Sequence, residues 1–339
     1  MALTTVSPGL LDSTAQYYSF KNRIINGAMG IWQRGTSFAA PANLAYTADR
    51  WFSIWGTANR TISRQAGFSG SQYCMRVARN SGTTDAAYSG VIQIIETNNL
   101  IDLQGQTVTL SFSARRGANY SAASNAMIVY LQCGTAADQG SSVYWSPGWT
   151  GLTSPIVSNV TLSTTEQTFS LQAAIPANCQ EIAITFQYLS AGTAGANDYF
   201  EITNVQLEKG STATSFDYRP YGTELALCQR YYFRYDGGQG SGTYAFCSGS
   251  IYGATTTLRA YLKFPVTMRA GPTLSYAGAL VGSGGSNDNN VSAIATQFTG
   301  TDSALVDFTV AAGTVGQGKI IYVTSAAYGT NFIQGAAEL

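Results

Sequence analysis

From residue 107 to residue 114 small hydroxyl side chains and apolar ones take strict turns. Thr107, Thr109, Ser111 and Ser113 alternate with Val108, Leu110, Phe112 and Ala114. A period of two puts every second side chain on the same face of an extended strand, so this run buries one face and wets the other. Related alternation recurs in residues 73–78, 168–171, 182–186 and 200–208, between clusters of Gly, Asn and Ser. Residues 51–55 (Trp-Phe-Ser-Ile-Trp) are apolar except at Ser53 and read as an interior strand, and residues 91–95 and 127–131 add two more. No stretch sustains a long 3.6-residue period. Eight or nine short strands joined by turns predict a jelly-roll β-sandwich over residues 26–218, with residues 200–208 as its closing strand.

The chain has 339 residues, enough for two cores. Residues 219–230 read as a linker, with a short helical turn around Glu224–Arg230. Residues 231–339 read as a second sandwich, with strands near 231–235, 243–246, 257–264, 273–277, 291–299, 304–310 and 319–324. Gly282 to Asn290 is wholly Gly, Ser, Asn and Asp, which predicts a mobile loop. Residues 1–25 read as an arm whose Leu10, Leu11, Tyr17, Tyr18 and Phe20 need a surface to cover them. The predicted fold is therefore all-β: an N-terminal arm followed by two tandem jelly-roll-like sandwiches.

The sequence holds no histidine. That removes the commonest general base, the Ser-His nucleophile pair and the commonest zinc ligand. Charged residues are 11% of the chain, with 18 basic and 18 acidic side chains in balance, so no long-range field favours nucleic acid or an anionic membrane. A weakly charged surface favours association. Cys74, Cys133, Cys179, Cys228 and Cys247 are odd in number and far apart, which predicts buried free thiols over a disulfide framework. The first residues lack a basic stretch followed by an apolar run, so no secretory signal is expected. No segment has the roughly 18 apolar residues of a membrane span.

The opening Asn22-Arg23-Ile24-Ile25-Asn26-Gly27-Ala28-Met29, followed by Trp32-Gln33-Arg34-Gly35 and Thr47-Ala48-Asp49-Arg50-Trp51, resembles the start of a jelly-roll domain of phage virion proteins. The close, residues 200–208 with Thr214-Ser215-Phe216-Asp217-Tyr218-Arg219-Pro220, fits the same pattern and is also similar to the last strand of carbohydrate-binding jelly rolls. Residues 224–233, Met268-Arg269-Ala270-Gly271-Pro272-Thr273 and the end Ala336-Ala337-Glu338-Leu339 resemble the C-terminal half of tail-fibre-like or capsid-associated proteins. The resemblance implies a structural component of the virion, assembled in the host cytoplasm. It further implies a homo-oligomer, often a trimer, contacting other tail or capsid proteins. A host-surface glycan or receptor is the expected outside partner, and the charge balance and lack of an apolar span leave no nucleic acid and no membrane insertion expected.

Sugar recognition needs flat rings against the C–H face of a pyranose, flanked by hydrogen-bonding groups. Tyr144, Trp145 and Trp149 place three rings on one loop and are the candidate ligand residues; the bland alternative is that the indoles cap the sandwich end or pack at a subunit interface. Trp51 and Trp55, four apart in a strand, share a face and belong to the core. Tyr17, Tyr18, Phe20, Lys21 and Arg23 are the candidate attachment arm. Asp49 and Asp198 flank the opening and closing segments, where the resembling carbohydrate-binding jelly rolls often hold a structural calcium; a turn Asp, or a salt bridge from Asp49 to Arg50, competes with that. No other cofactor is expected, and no catalytic residue. Asp198/Glu201 and Asp85/Glu96 can be named as carboxyl pairs for glycoside hydrolysis, but no context marks either pair. The expected function is a non-enzymatic virion surface protein of the tail-fibre type. A capsid cement or minor tail protein without sugar binding is the alternative, with a polysaccharide-cleaving tailspike behind it.

Overall fold

The computed structural model describes residues 20–55, 59–145, 148–236, 244–284, 289–324 and 330–339, with the backbone alone at Trp55, Val143, Trp145 and Asn289. The described chain divides into two compact units. Residues 20–32, 36–221 and Leu339 form the first, and residues 33–35 and 222–338 the second. Both are all-β.

The strands of the first unit are β1 (Ser37–Ala39), β2 (Phe52–Trp55), β3 (Arg60–Ala66), β4 (Tyr73–Arg79), β5 (Tyr88–Ile95) and β6 (Thr107–Arg116). They continue with β7 (Ala126–Gly134), β8 (Thr153–Thr161), β9 (Gln167–Ala174), β10 (Glu181–Leu189) and β11 (Tyr199–Lys209). A short helix α1 (Ser141–Trp145) interrupts the chain between β7 and β8. One sheet has six strands in the order β1-β3-β4-β11-β6-β9, the other five in the order β2-β5-β10-β7-β8. The core between them is supplied by alternate residues of both sheets, among them Trp51, Met75, Val91, Phe112, Val129, Ile184, Phe186 and Phe200. Phe186 of one sheet meets Phe112 of the other edge to face, with ring centroids 4.8 Å apart. Trp51, which directly precedes β2, is fully buried there.

Strands β3 and β8 are absent from the sequence expectation for physical reasons. In β3 Ile62 is the one large apolar residue. In β8 Pro155 interrupts the pattern, but β8 lies at the edge of its sheet, where a missing N–H costs no ladder bond. All five cysteines are free, four of them buried.

Residues 22–27 belong to the sandwich and run against β11. The β11–β6 register shifts between Thr203 and Gln206, with Asn204 at φ +53°. Such a bulge takes Val205 out of the ladder. Its N–H donates instead to the Gly27 carbonyl at 3.0 Å, and its carbonyl accepts from Asn22 Nδ2 at 3.0 Å. Asn22 Oδ1 accepts from the Leu207 N–H at 3.0 Å and from the Ile24 N–H at 2.9 Å. Arg219, from the end of the unit, donates to the carbonyls of Ile24 (3.1 Å) and Asn22. Gly27 is required by close approach, since a Cβ there would sit 2.1 Å from the Val205 oxygen.

This alters the expected arm. Lys21 donates to Thr214 Oγ1 and to the Ser215 carbonyl (2.8 Å), and Arg23 pairs with Asp102 at 2.5 Å, so both are engaged within their own unit. Phe20 is about half exposed, with the Arg219 guanidinium 5.7 Å from its ring centre. Tyr17 and Tyr18 lie outside the described residues.

Helix α2 (Tyr221–Gln229) forms where the linker turn is expected. The second unit continues with β12 (Tyr232–Asp236), β13 (Tyr244–Ile251), β14 (Thr257–Lys263), β15 (Thr273–Ala277) and β16 (Leu280–Ser283). Its last strands are β17 (Asn289–Thr299), β18 (Ser303–Val310), β19 (Gly318–Val323) and β20 (Phe332–Ala336). Where a second sandwich is expected, six strands close into a barrel, β13-β14-β18-β17-β16-β19, beside a three-stranded sheet β12-β20-β15. Strand β16 is the seam: Val281 pairs with Asn290 of β17 and with Tyr322 of β19. Gly282, Ser283, Asn289 and Asn290, expected in a mobile loop, are therefore strand residues, and residues 285–288 lie outside the described part. Closure rewards even a Gly- and Ser-rich strand, because pairing on both sides satisfies its backbone and removes two sheet edges.

Replacing Asn22 by Ala strands the Leu207 N–H and the Val205 carbonyl in a buried place, and should cost about 2–4 kcal/mol. Arg23→Ala, which breaks a partly exposed ion pair, should cost under about 1 kcal/mol. Urea unfolding of both variants, followed by the fluorescence of the core tryptophans, checks the contrast.

Candidate functional site

Every second residue of the five-stranded sheet points away from the sandwich core. Register places these outer residues in cross-strand rows. One row runs Ile54, Gly90, Gln187, Ile128, Asn159, and the next Phe52, Ile92, Thr185, Tyr130, Val157. A third carries Ile94, Ala183 and Gln132. None of these positions bears a charge.

At the β2 side this face is covered. Phe52, Ile54, Ile92, Ile94 and Ala183 join Trp149 and Leu339 in a small second core, with Leu44, Tyr46 and Tyr144 packed on it. The segment 135–152 between β7 and β8, which contains α1, supplies the two rings. Tyr144 and Trp149 meet edge to face with centroids 5.1 Å apart. The Tyr144 hydroxyl hydrogen-bonds Gln132 Oε1 and lies 3.5 Å from Thr185 Oγ1, both on the outer face. Burial raises its pKa above the usual phenol value. Trp149 is 3% exposed. Its ring is buried on the outer face of the sheet, against Phe52, Ile54, Ile92 and Ile94. The side chain of Trp145 lies outside the described residues.

Toward β8 the same face is open. There Val157 is 62% exposed; at the start of β5 and the end of β10 the cross-strand partners Tyr88 and Leu189 are 46% and 45% exposed. Half-buried Ile128, Tyr130 and Gln187 and exposed Asn159 complete the open part. The structure thus moves the candidate ligand surface from the loop indoles to strand positions. The signal was present in the alternation of β7 and β10, but a period of two gives two faces without saying which is covered.

Glu181, at the start of β10, is fully buried beside this face, and among the described residues no cation pairs with its carboxylate. A Cβ on Gly134 would lie 3.0 Å from the Trp149 ring and 3.3 Å from Glu181 Oε1, so acid and indole flank the same glycine. Burial pushes the Glu181 carboxyl up to about 8, assisted by Asp138 and Cys179 and opposed by the Gln139 backbone. The group is therefore neutral at pH 7 in the folded chain.

The candidate calcium acids enter separate networks. Asp198 Oδ1 accepts from the Ser121 N–H at 2.9 Å, and its Oδ2 lies 3.3 Å from Arg79 Nε. The Arg79 guanidinium also donates to the carbonyls of Thr83 (3.0 Å), Ala191 (3.2 Å) and Gly192 (2.5 Å). A buried arginine thus occupies the ring of oxygens that a cation would need, so Asp198 does not fit a calcium site. Asp49 is buried, its N–H donating to the Ile31 carbonyl at 3.1 Å and its carbonyl accepting from Asn26 Nδ2 at 3.0 Å. Its neighbour Arg50 donates to the Ile94 carbonyl at 2.7 Å. Among the described residues no group of three or more acidic or cysteine side chains could hold a metal.

The other named acids are also engaged. Asp85 pairs with Arg60 at 2.8 Å, Glu201 is held between Arg76 and Arg115, and Glu96 accepts from Asn99 at 3.2 Å.

Stability should depend on pH through Glu181. Below about 4.5 the carboxyl is protonated in both folded and unfolded chains; between 4.5 and 8 only the unfolded chain releases the proton, so stability falls across that window and levels off above it. Glu181→Gln should raise the thermal midpoint of the first unit by several degrees at pH 8, and the gain should vanish toward pH 4. Calorimetry across that range measures it.

No family model matches the sequence, and no curated protein matches it. Among solved structures the fold is similar to the enzymatically active domain of tailspike protein 4 of bacteriophage CBA120, with 15% identity over 56% of this chain and 22% of that one, at a TM-score of 0.36. The chain therefore spans about one fifth of the tailspike structure. It is also similar to a family 4 carbohydrate-binding module, with 18% identity over 55% of this chain and 98% of the module, at a TM-score of 0.34. A family 22 xylan-binding domain follows, at 14% identity, 51% and 94% coverage and a TM-score of 0.32. At TM-scores this low, with identities under one fifth, the likeness assigns neither substrate nor activity to this chain.

Proposed function

We propose that this chain is a non-enzymatic virion surface protein of the tail-fibre type, which oligomerises and attaches to a host-surface glycan through the open part of the five-stranded face. The observation that carries the glycan reading is the charge-free outer face, on which Tyr130 and the exposed Tyr88, Val157 and Leu189 stand beside Gln187 and Asn159. A neutral pyranose has the complementary make-up: a C–H face that packs on rings and branched aliphatics, and hydroxyls that bond side-chain amides. Single contacts of this kind are weak, and several copies on one particle multiply them. The non-enzymatic reading draws support from the ion-paired state of Asp85, Asp198 and Glu201, each held by arginine. The virion assignment rests on the sequence resemblance and on the low, balanced charge.

A second reading has its own support. Exposed Val157, Tyr88 and Leu189 also suit burial against another subunit, as in a capsid cement or minor tail protein that binds no sugar. A glycan array of the full chain, with Tyr130→Ala and Gln187→Ala variants, separates the two. Attachment predicts a defined set of bound neutral glycans and a loss of about tenfold or more in either variant. An empty array, together with a self-association that Val157→Asp abolishes in light scattering, establishes the cement reading instead. A monomer at micromolar concentration counts against both.

A further inference from the structure

The opposite outer face, on the six-stranded sheet, has different chemistry. Met75, Val77, Phe200, Ile202, Phe112 and Ala114 point into the core, so the alternate residues Arg76, Glu201 and Arg115 point out. Register sets them in one row, Ser63, Arg76, Glu201, Arg115, on four neighbouring strands. Glu201 is fully buried between the two arginines. Its Oε1 accepts from Arg76 Nε (2.9 Å) and Nη2 (2.6 Å), and its Oε2 accepts from Arg115 Nε (2.6 Å). Each guanidinium lies over a ring: Arg76 is 3.8 Å from the centre of Tyr199, and Arg115 is 4.6 Å from that of Phe68. Carboxylate and ring together hold both planar groups in place.

The row is over-supplied with donors. One carboxylate faces two guanidiniums, a surplus of one positive charge. Arg76 Nη1 and both terminal nitrogens of Arg115 find no acceptor among the described residues, while the two side chains remain 28% and 34% exposed. The surrounding outward positions Thr61, Ser63, Gln65, Ser113 and Thr168 are uncharged hydroxyls and amides, and exposed Glu166, which precedes Gln167 at the end of the row, accepts from the Ser69 N–H at 3.0 Å. An arginine pair that only closed an ion bridge on Glu201 would need neither the second guanidinium nor the idle terminal nitrogens.

We propose that Arg76 and Arg115 form a binding site for a single oxyanion, the carboxylate or sulfate ester of an acidic sugar, with Glu201 as the positioning residue that sets the spacing of the two guanidiniums. The site stands on its own observations and is separate from the neutral-glycan face on the other sheet. Its ligand lies along the outward terminal nitrogens of the two guanidiniums. Arginine suits this task because its planar fork can keep one edge on Glu201 and present the other outward.

Isothermal titration of the full chain with glucuronate, N-acetylglucosamine 6-sulfate, free sulfate and glucose tests the proposal. Saturable binding of at least one of the two acidic sugars, with none of glucose, is expected. Preference between carboxylate and sulfate ester identifies the source, and equal binding of free sulfate shows that the oxyanion alone is read. Arg115→Lys retains the charge and the pairing with Glu201 but removes the outward fork, so it should fold with a near-normal thermal midpoint and weaken the anion by about tenfold. Arg115→Gln, with folding checked by circular dichroism, should abolish binding. No saturable heat with any anion, or affinity unchanged in folded Arg115→Lys, overturns the proposal.

Discussion

The first unit depends on one displaced peptide. At Asn204 the backbone turns to φ +53° and β11 slips out of register with β6, which frees the N–H and carbonyl of Val205. Buried backbone groups must find partners, and these find them on the opening segment, at Gly27 and at the Asn22 amide. The beginning of the sandwich is thereby tied to its closing strand. Asn22 also takes the Leu207 N–H, and Arg219 covers the carbonyls of Asn22 and Ile24. The motif Asn22 to Met29 is therefore a clasp: an amide that mimics a strand neighbour, followed by a glycine that leaves room for the Val205 oxygen.

Because the clasp sets the register of β11, it also decides which side chains of that strand face outward. A slip of one residue would exchange Phe200 and Ile202 with Glu201, putting a carboxylate in the core. The bulge lies beyond Thr203, so residues 199–203 keep one register with β4 and β6, and the Arg–Glu–Arg row stays intact. The sandwich ends with two outer faces of contrasting character. One is free of charge, and is capped at one side by Tyr144 and Trp149; the other carries fixed guanidiniums. A protein without histidine has few groups that change protonation near neutrality. Glu181 is such a group, buried where its proton is held by lack of solvent.

Strand alternation was legible wherever one face is apolar and the other hydroxyl-bearing, as in β6, β10 and β11. It failed for β3, whose residues are mostly polar, and for β16, whose Gly and Ser look like a loop until two neighbours pair with it. Strand β20 was missed for a related reason. Its Gly335 weakens the pattern, yet the Phe233 ring lies where a Cβ would be, 2.4 Å from it, so the strand needs a glycine there. Burial of Trp149 was not legible, because exposure is a property of what packs above a ring. No local pattern says that Tyr144 and Trp149 pack back onto Phe52 and Ile92.

What the sequence determined by itself was the secondary structure class, the paired opening and closing motifs, the free buried thiols and the exclusion of imidazole chemistry. Each of these follows from residue type and local period, which need no knowledge of distant neighbours. Tertiary structure alone decided the barrel closure of the second unit, the burial of Trp149, the raised carboxyl of Glu181 and the meeting of Arg76, Glu201 and Arg115. Those depend on strand order and register, and Arg76 and Glu201, for example, lie 125 positions apart in the chain. Long-range pairing is settled by the sum of many weak contacts, which no local stretch of sequence contains.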